Sequence, residues 1–233
     1  MTTDPRDVAL QRACPRVPVP RFGPLDDAEL GQRVLVASNG IFLEVRRSWL
    51  QCIVRIGDLH RTPPLPYGSL TERIAFTFGV IPIALLEEFI AIGRNGLPNE
   101  VAGALIYHRT TNSLRLAIHD AIKAGPTEIR YRMPVLGADE EVAVDLHTHG
   151  RLPAFWSSTD DADDQGVKVC GVFGNLHHET PSAAFRLAIN GQFRELPHPW
   201  SAKPFGGEPS VELGEACPTL VAMGFTETDA WNT

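Results

Sequence analysis

Residues 145–160 read DLHTHGRLPAFWSSTD: His147-Thr148-His149, a gap of seven residues, then Ser157 and, three further on, Asp160. Side chains two apart on an extended segment project to the same side, so the two imidazoles can grip one metal ion. Asp160 can return over a turn as a third ligand. Three protein ligands leave one position for water, which is the open catalytic arrangement and not the closed structural one. Ser157 is placed to donate a hydrogen bond beside the metal. A water on a metal also needs a proton acceptor. Upstream, Glu100 opens the run EVAGALIYH, which reads as a buried strand. Two readings of Glu100 stand: the proton acceptor, or a solvated strand end. Gly103 would let another backbone or the metal loop approach closely.

Glu100 in an E-x-x-G context, followed by H-x-H-x7-S-x-x-D, resembles the JAMM (MPN-plus, JAB-type) zinc metalloproteases. The resemblance runs from about Ile74 to Leu196. It implies an α/β fold of the cytidine-deaminase-like kind, a mixed curved sheet flanked by helices. It further implies Zn²⁺ held by His147, His149 and Asp160, with Glu100 as general base and Ser157 stabilising an oxyanion. There are two departures. Thr148 and Gly150 stand where the family usually has Ser and Pro, so the loop shape can differ. Residues 118–141 contain Gly125-Pro126, Pro134 and Gly137, so a second helix usual in the family is expected to be shortened or lost. The wider stretch AFWSSTDDADDQGVKVCGVFGNL with FRLAINGQF resembles a narrower group, protein A of the bacterial, often plasmid-borne PRTRC cassettes. That resemblance implies a ubiquitin-like or peptide substrate and an E1/ThiF-like protein as cassette partner.

Composition bounds the alternatives. The chain has 233 residues and a formal net charge of −7, with a pI near 5.6. That charge argues against nonspecific nucleic-acid binding and so against a DNA-contacting maintenance factor. The clearest basic pair, Arg46-Arg47, reads as part of a solvated strand face. Cys14, Cys52, Cys170 and Cys217 lie far apart with no C-x-x-C pair. This points away from a disulfide framework or a cysteine-based zinc site and toward a reducing cytoplasm. The N-terminus carries Asp4, Arg6 and Asp7 without the apolar core of a signal peptide, and no apolar stretch is long enough to span a bilayer. Amidohydrolases and PHP-type phosphoesterases also begin with D-x-H-x-H, but they need a large barrel and distant further ligands, and too little chain follows Asp145.

Along the chain, Pro5, Pro15, Pro18, Pro20 and Pro24 make residues 1–30 an irregular arm. RVLVASNGIFLEVRR forms two β-rich runs around Asn39-Gly40, a hairpin signal, and SWLQCIVRI continues as a third strand. RTPPLPYGSL then breaks the pattern. We therefore expect a β-rich N-terminal module over 31–70, a JAMM-type domain over 71–200 and an irregular tail over 201–233. Within the domain, RIAFTFGVI reads as a strand. PIALLEEFIAIGR reads as a helix with Ile83, Leu86, Phe89 and Ile90 on one face, stopped by Asn95-Gly96. EVAGALIYH, SLRLAIHDA, EIRYRM, EVAVDLHTH, VKVCGVFGNL, AAFRLAIN and QFREL read as strands, with Asn190-Gly191 a hairpin turn. STDDADDQG enters a short helix with Asp160 near its N-terminus, where a carboxylate is favoured.

Other candidates remain open on sequence alone. Asp145 either accepts from a ligand imidazole or points away. Asp161, Asp163 and Asp164 read as a solvated acidic turn, and His177-His178 as a surface pair. Phe155 and Trp156 either line a substrate groove or pack against the metal loop. The N-terminal module is either a docking unit or an extension of the core. The function expected is zinc-dependent amide hydrolysis, with a noncatalytic JAMM-fold scaffold as the competing class.

Overall fold

The structure is a computed structural model in which residues 4–59 and 64–197 are described, together with the backbone of Val211–Glu212. The chain divides into two compact units between Val80 and Ile81. Among the described residues, no helix is long and apolar enough to cross a membrane.

The first unit opens with helix α1 (Pro5–Ala13). Asp4 caps it by accepting from the Arg6 amide, and proline stands in its first turn. Strands β1 (Arg16–Pro18), β2 (Gly31–Ala37), β3 (Gly40–Arg46), β4 (Leu50–Gly57) and β5 (Arg73–Phe76) form one sheet in that order. β1 is parallel to β2 and the others pair antiparallel. The β2–β3 hairpin closes at Ala37 opposite Gly40, with Ser38 and Asn39 in the turn. Asn39 binds both backbone groups of Leu70, at 2.8 and 3.1 Å. Val19, Leu35, Ala37, Phe42 and Leu70 form a buried cluster beneath it. Arg46 is tied to Glu44 and Asp27, so half of the basic pair is engaged within the fold.

Two expectations change here. Residues 1–30 are not a wholly irregular arm, because they contain α1 and β1. Asp4 followed by Pro5 is a helix-start signal that the proline count obscured. The strand Arg73–Phe76, expected in the second domain, pairs with β4 (Leu50 opposite Phe76) and belongs to the first sheet. Trp49, Phe76 and Phe78 stack with centroids 5.2–6.3 Å apart and hold it there. A proline-rich break ends a strand but does not dictate which sheet the next strand joins. The tail lies outside the described residues apart from Val211–Glu212, which pairs parallel with β5.

The second unit begins with α2 (Ile83–Asn95), which buries Leu86, Phe89, Ile90 and Gly93 at helical spacing. Ile83, expected on that face, is exposed. The helix stops at Gly96 in a right-handed conformation. Glycine is needed there for room, since a Cβ would meet the Val101 side chain at 2.8 Å. Next come β6 (Ala102–His108), β7 (Ser113–Ile118), β8 (Asp120–Ala124), β9 (Ile129–Arg132) and β10 (Glu140–Thr148). They are followed by α3 (Ser158–Asp163), β11 (Val167–Gly174), β12 (Ser182–Ile189) and β13 (Gln192–Leu196). The main sheet has the order β13-β12-β11-β10-β6-β7, in which only the β10–β11 pair is parallel. Of its two middle strands, β11 is buried along most of its length and β10 toward its C-terminal half. α2 covers one face, with Phe89 against Phe173 at 5.6 Å between ring centroids. The β12–β13 hairpin turns on Asn190 (φ 50) and Gly191 (φ 82), both left-handed as a two-residue hairpin favours. SLRLAIHDA, expected as one strand, breaks at His119 into β7 and β8, and β8 pairs with β9 as a separate ribbon. No helix occupies 118–141; that ribbon stands in its place.

Candidate metal centre

β10 carries His147 near its C-terminal end, and His149 is the first residue past it. His147 pairs with Ala102 of β6 on one side and Val172 of β11 on the other. One step on, the Thr148 amide donates to the Val101 carbonyl and the Val101 amide donates to Thr148 Oγ1, both at 2.9 Å. The His149 amide donates to the Phe173 carbonyl at 2.8 Å. Thr148 is fully buried, and its methyl group lies where a Cβ on Gly93 of α2 would meet it at 3.0 Å. The residue between the histidines thus anchors the strand to α2 and β6. Gly150 follows at φ +54, a conformation proline cannot adopt. The proline usual in the resembling family is therefore incompatible with this loop as folded.

The third group arrives on α3. Ser157 caps that helix: its Oγ accepts from the Asp160 amide at 3.2 Å, while its own amide and hydroxyl both donate to Asp160 Oδ2 at 2.7 Å. This reciprocal cap fixes the Asp160 carboxylate at the head of the helix. His147 Nε2 lies 3.2 Å from His149 Nε2 and 3.3 Å from Asp160 Oδ1, and His149 Nε2 lies 3.9 Å from Asp160 Oδ2. A tetrahedral ion with ligand bonds of about 2.0–2.1 Å has ligand-to-ligand separations of about 3.3 Å. The two separations from His147 Nε2 match that size, and the His149–Asp160 separation, to the other carboxylate oxygen, is longer. Among the described residues it is the one group of three or more such side chains that can hold a metal ion. Burial lowers the pKa of both imidazoles against the pull of Asp160, which favours the neutral, ligating form. His149 Nδ1 is buried without a hydrogen bond.

Glu100 is buried at the entry to β6. Continuing the β6–β10 register through Thr148 and Val101 places it across from His149. Its amide donates to the Gly125 carbonyl in the β8–β9 turn, so the ribbon lies beside it. Burial, then the charges of Asp160 and Glu128, push its carboxyl up to about 7. A solvated strand end would not carry such a shift. Gly103 does not admit the metal loop; it gives room to the Ala117 carbonyl of β7 and the Phe89 ring of α2.

Residues 4–77 match a family model described as a domain of unknown function, DUF2016. Residues 82–188 match the model of prokaryotic homologues of the JAB domain. That match supports the JAMM/JAB family for the second unit. No curated protein matches the chain. A solution structure of a protein from Desulfitobacterium hafniense is similar at 17% identity and a TM-score of 0.38, covering 48% of this chain and 86% of that one.

Within the JAB-like unit, several residues stand differently from expectation. Asp145 does not reach a ligand imidazole; it binds Lys168 Nζ at 2.6 Å and faces the buried His119 at 3.8 Å. Asp161 and Asp164 are not a freely solvated turn. Asp164 is buried and binds Arg186 at 2.6 Å and Lys168 at 3.1 Å, and Asp161 binds Arg186 at 2.5 Å. Burial works against the Lys168 ammonium, yet Asp145 and Asp164 hold its pKa above the ordinary value. Phe155 is half exposed with its ring 4.5 Å from that of His149, and Trp156 meets His147 edge-on at 6.1 Å. Both rings therefore pack on the imidazoles of His147 and His149. His177 and His178 form an exposed pair. Sequence reasoning missed Arg186 and Lys168. The available signal was a lone cation in each of two otherwise apolar strands, AAFRLAIN and VKVCGVFG.

Proposed function

We propose that this protein is a Zn²⁺-dependent metallopeptidase or isopeptidase. The carrying observation is the convergence of His147, His149 and Asp160 on one point, all ligand atoms within 4.8 Å of one another. His147, His149 and Asp160 would hold the ion through two imidazole nitrogens and one carboxylate. Zinc bound there supplies a water of lowered pKa and polarises a scissile carbonyl. Glu100 is suited to the proton work. Its carboxyl, raised to about 7, can accept a proton near neutrality and release it to a leaving amine. Ser157 is assigned to the developing oxyanion. Its hydroxyl proton is given to Asp160 in the structure, so that service requires the hydroxyl to rotate. The half-exposed Phe155 beside His149 offers an apolar contact for a substrate chain.

The substrate we infer is an amide bond after the extended C-terminal tail of a ubiquitin-like protein, since extended tails can dock by adding as a strand. The resemblance to PRTRC protein A supports this choice. It also makes an E1/ThiF-like protein the natural cassette partner and the bacterial cytoplasm the natural setting. The test combines metal analysis with cleavage of a ubiquitin-like protein fused through its tail to a reporter. Stoichiometric zinc with cleavage lost in Glu100→Gln is expected. Stoichiometric zinc without cleavage of any tail fusion would favour a scaffold that binds cassette partners.

A further inference from the structure

Helix α3 must place Asp160 against two imidazoles, yet it has six residues and buries none of them. An amphipathic helix is ordinarily held by its apolar face, and α3 has no such anchor. Its N-terminal end is fixed by the Ser157 cap. Its other end is held by charge. Arg186 projects from β12, where it pairs with Cys170 of β11. Its guanidinium is almost fully buried, and its three nitrogens all reach carboxylates of the α3 segment. Nε and Nη2 donate to Asp164 Oδ2 at 3.2 and 2.6 Å, and Nη1 donates to Asp161 Oδ1 at 2.5 Å. The plane is sandwiched between Trp156 at 4.0 Å and Phe193 at 3.8 Å. Trp156 in turn lies edge-on to His147. Lys168 supports the same carboxylate from β11, through its 3.1 Å contact with Asp164.

We propose that Arg186 is a positioning residue of the metal centre, mooring α3 to the sheet so that Asp160 meets His147 and His149. A buried ion pair is a poor device for stability alone, because desolvation consumes most of its Coulombic gain. What a planar fork between two rings does well is fix direction. Asp161 and Asp164 bracket the helical turn after Asp160, so a shift of either carboxylate moves the ligand. This inference rests on the assignment of His147, His149 and Asp160 as metal ligands.

The experiment measures zinc affinity of the full chain by chelator competition, and the ligand-field absorption of its Co²⁺ form. Arg186→Met is expected to weaken zinc binding by about 10–100-fold, the usual effect of losing a residue that orients a ligand, and to alter the Co²⁺ bands. Arg186→Lys keeps one charge opposite Asp164 and is expected to fall between. Arg33→Met breaks a buried pair with Glu44 in the first unit; it should lower stability while leaving metal affinity unchanged. Where Arg186→Met does not fold, Asp161→Ala removes the half-exposed arm of the fork and is expected to weaken zinc severalfold. Wild-type affinity and an unaltered Co²⁺ spectrum in folded Arg186→Met, or in Asp161→Ala if the former does not fold, overturn the proposal. A wild-type chain that binds neither ion overturns the metal assignment itself, and is recognised because it precedes any variant.

Discussion

At the residue scale, ligand and base can be separated by single substitutions. His147→Ala combined with His149→Ala removes two of three donors, so elemental analysis is expected to fall from about one zinc per chain to none; full retention would refute the ligand set. Glu100→Gln keeps shape and loses the proton acceptor. It is expected to keep zinc and lose nearly all hydrolysis. The same variant has a metal-free signature. The Glu100 carboxyl stands at about 7 against an ordinary 4.5. Between those values the folded chain keeps a proton that the unfolded chain releases, so this group's contribution to stability declines as pH rises through the window. Such a shift corresponds to roughly 3 kcal/mol at most, and to about 1–2 kcal/mol once partial solvent screening is allowed. Glu100→Gln should therefore stabilise the metal-free protein above pH 7 and leave it nearly unchanged below pH 4.5, measured by urea denaturation. Equal stabilisation at both pH values would show that burial of the charge is not the cause.

At the element scale, the loop between His149 and α3 depends on one glycine. A Cβ at Gly174, the last residue of β11, would stand 2.3 Å from the backbone of Leu152, Pro153 and Ala154. Backbone cannot swing aside as a side chain can. Gly174→Ala is expected to cost about 3 kcal/mol or more and to weaken zinc, because the displaced segment carries Phe155, Trp156 and Ser157 toward the site. Gly23→Ala, with nothing within 4 Å, is the matched control and should be silent in both measurements. Wild-type zinc affinity in Gly174→Ala would mean that the loop tolerates the shift. The β8–β9 ribbon is the second distinctive element. It occupies the stretch where Gly125-Pro126, Pro134 and Gly137 forbid a long helix, and it brings the Gly125 carbonyl to the Glu100 amide.

At the scale of the whole molecule, the two units meet the chain division at Val80, and the family matches end and begin on either side of it, at 77 and 82. The second unit has its own core in Leu86, Phe89, Leu105, Leu146, Phe173 and Leu187. We expect residues 81–197 expressed alone to fold cooperatively, bind zinc and cleave a generic peptide, while losing affinity for a natural partner docked by the first unit. Aggregation, or melting without cooperativity, would show that the first unit is required for the fold.

Sequence alone brought out the candidate ligands His147, His149 and Asp160, because period-two spacing on an extended segment and a carboxylate returning over a turn are local geometry. His147, His149, Ser157 and Asp160 were legible for that reason, as were the hairpin at Asn190-Gly191 and the helical face of Leu86, Phe89 and Ile90. Glu100 was ambiguous until pairing of β6 with β10 placed it across from His149, since strand register between distant segments is set by the whole sheet. β5 was placed in the wrong domain for the same reason: its four residues read as a strand in either sheet, and the aromatic stack with Trp49 decides between them. Asp161 and Asp164 looked solvated because acidic runs usually are. Only the tertiary structure brings a cation from β12, more than twenty residues later, beneath them.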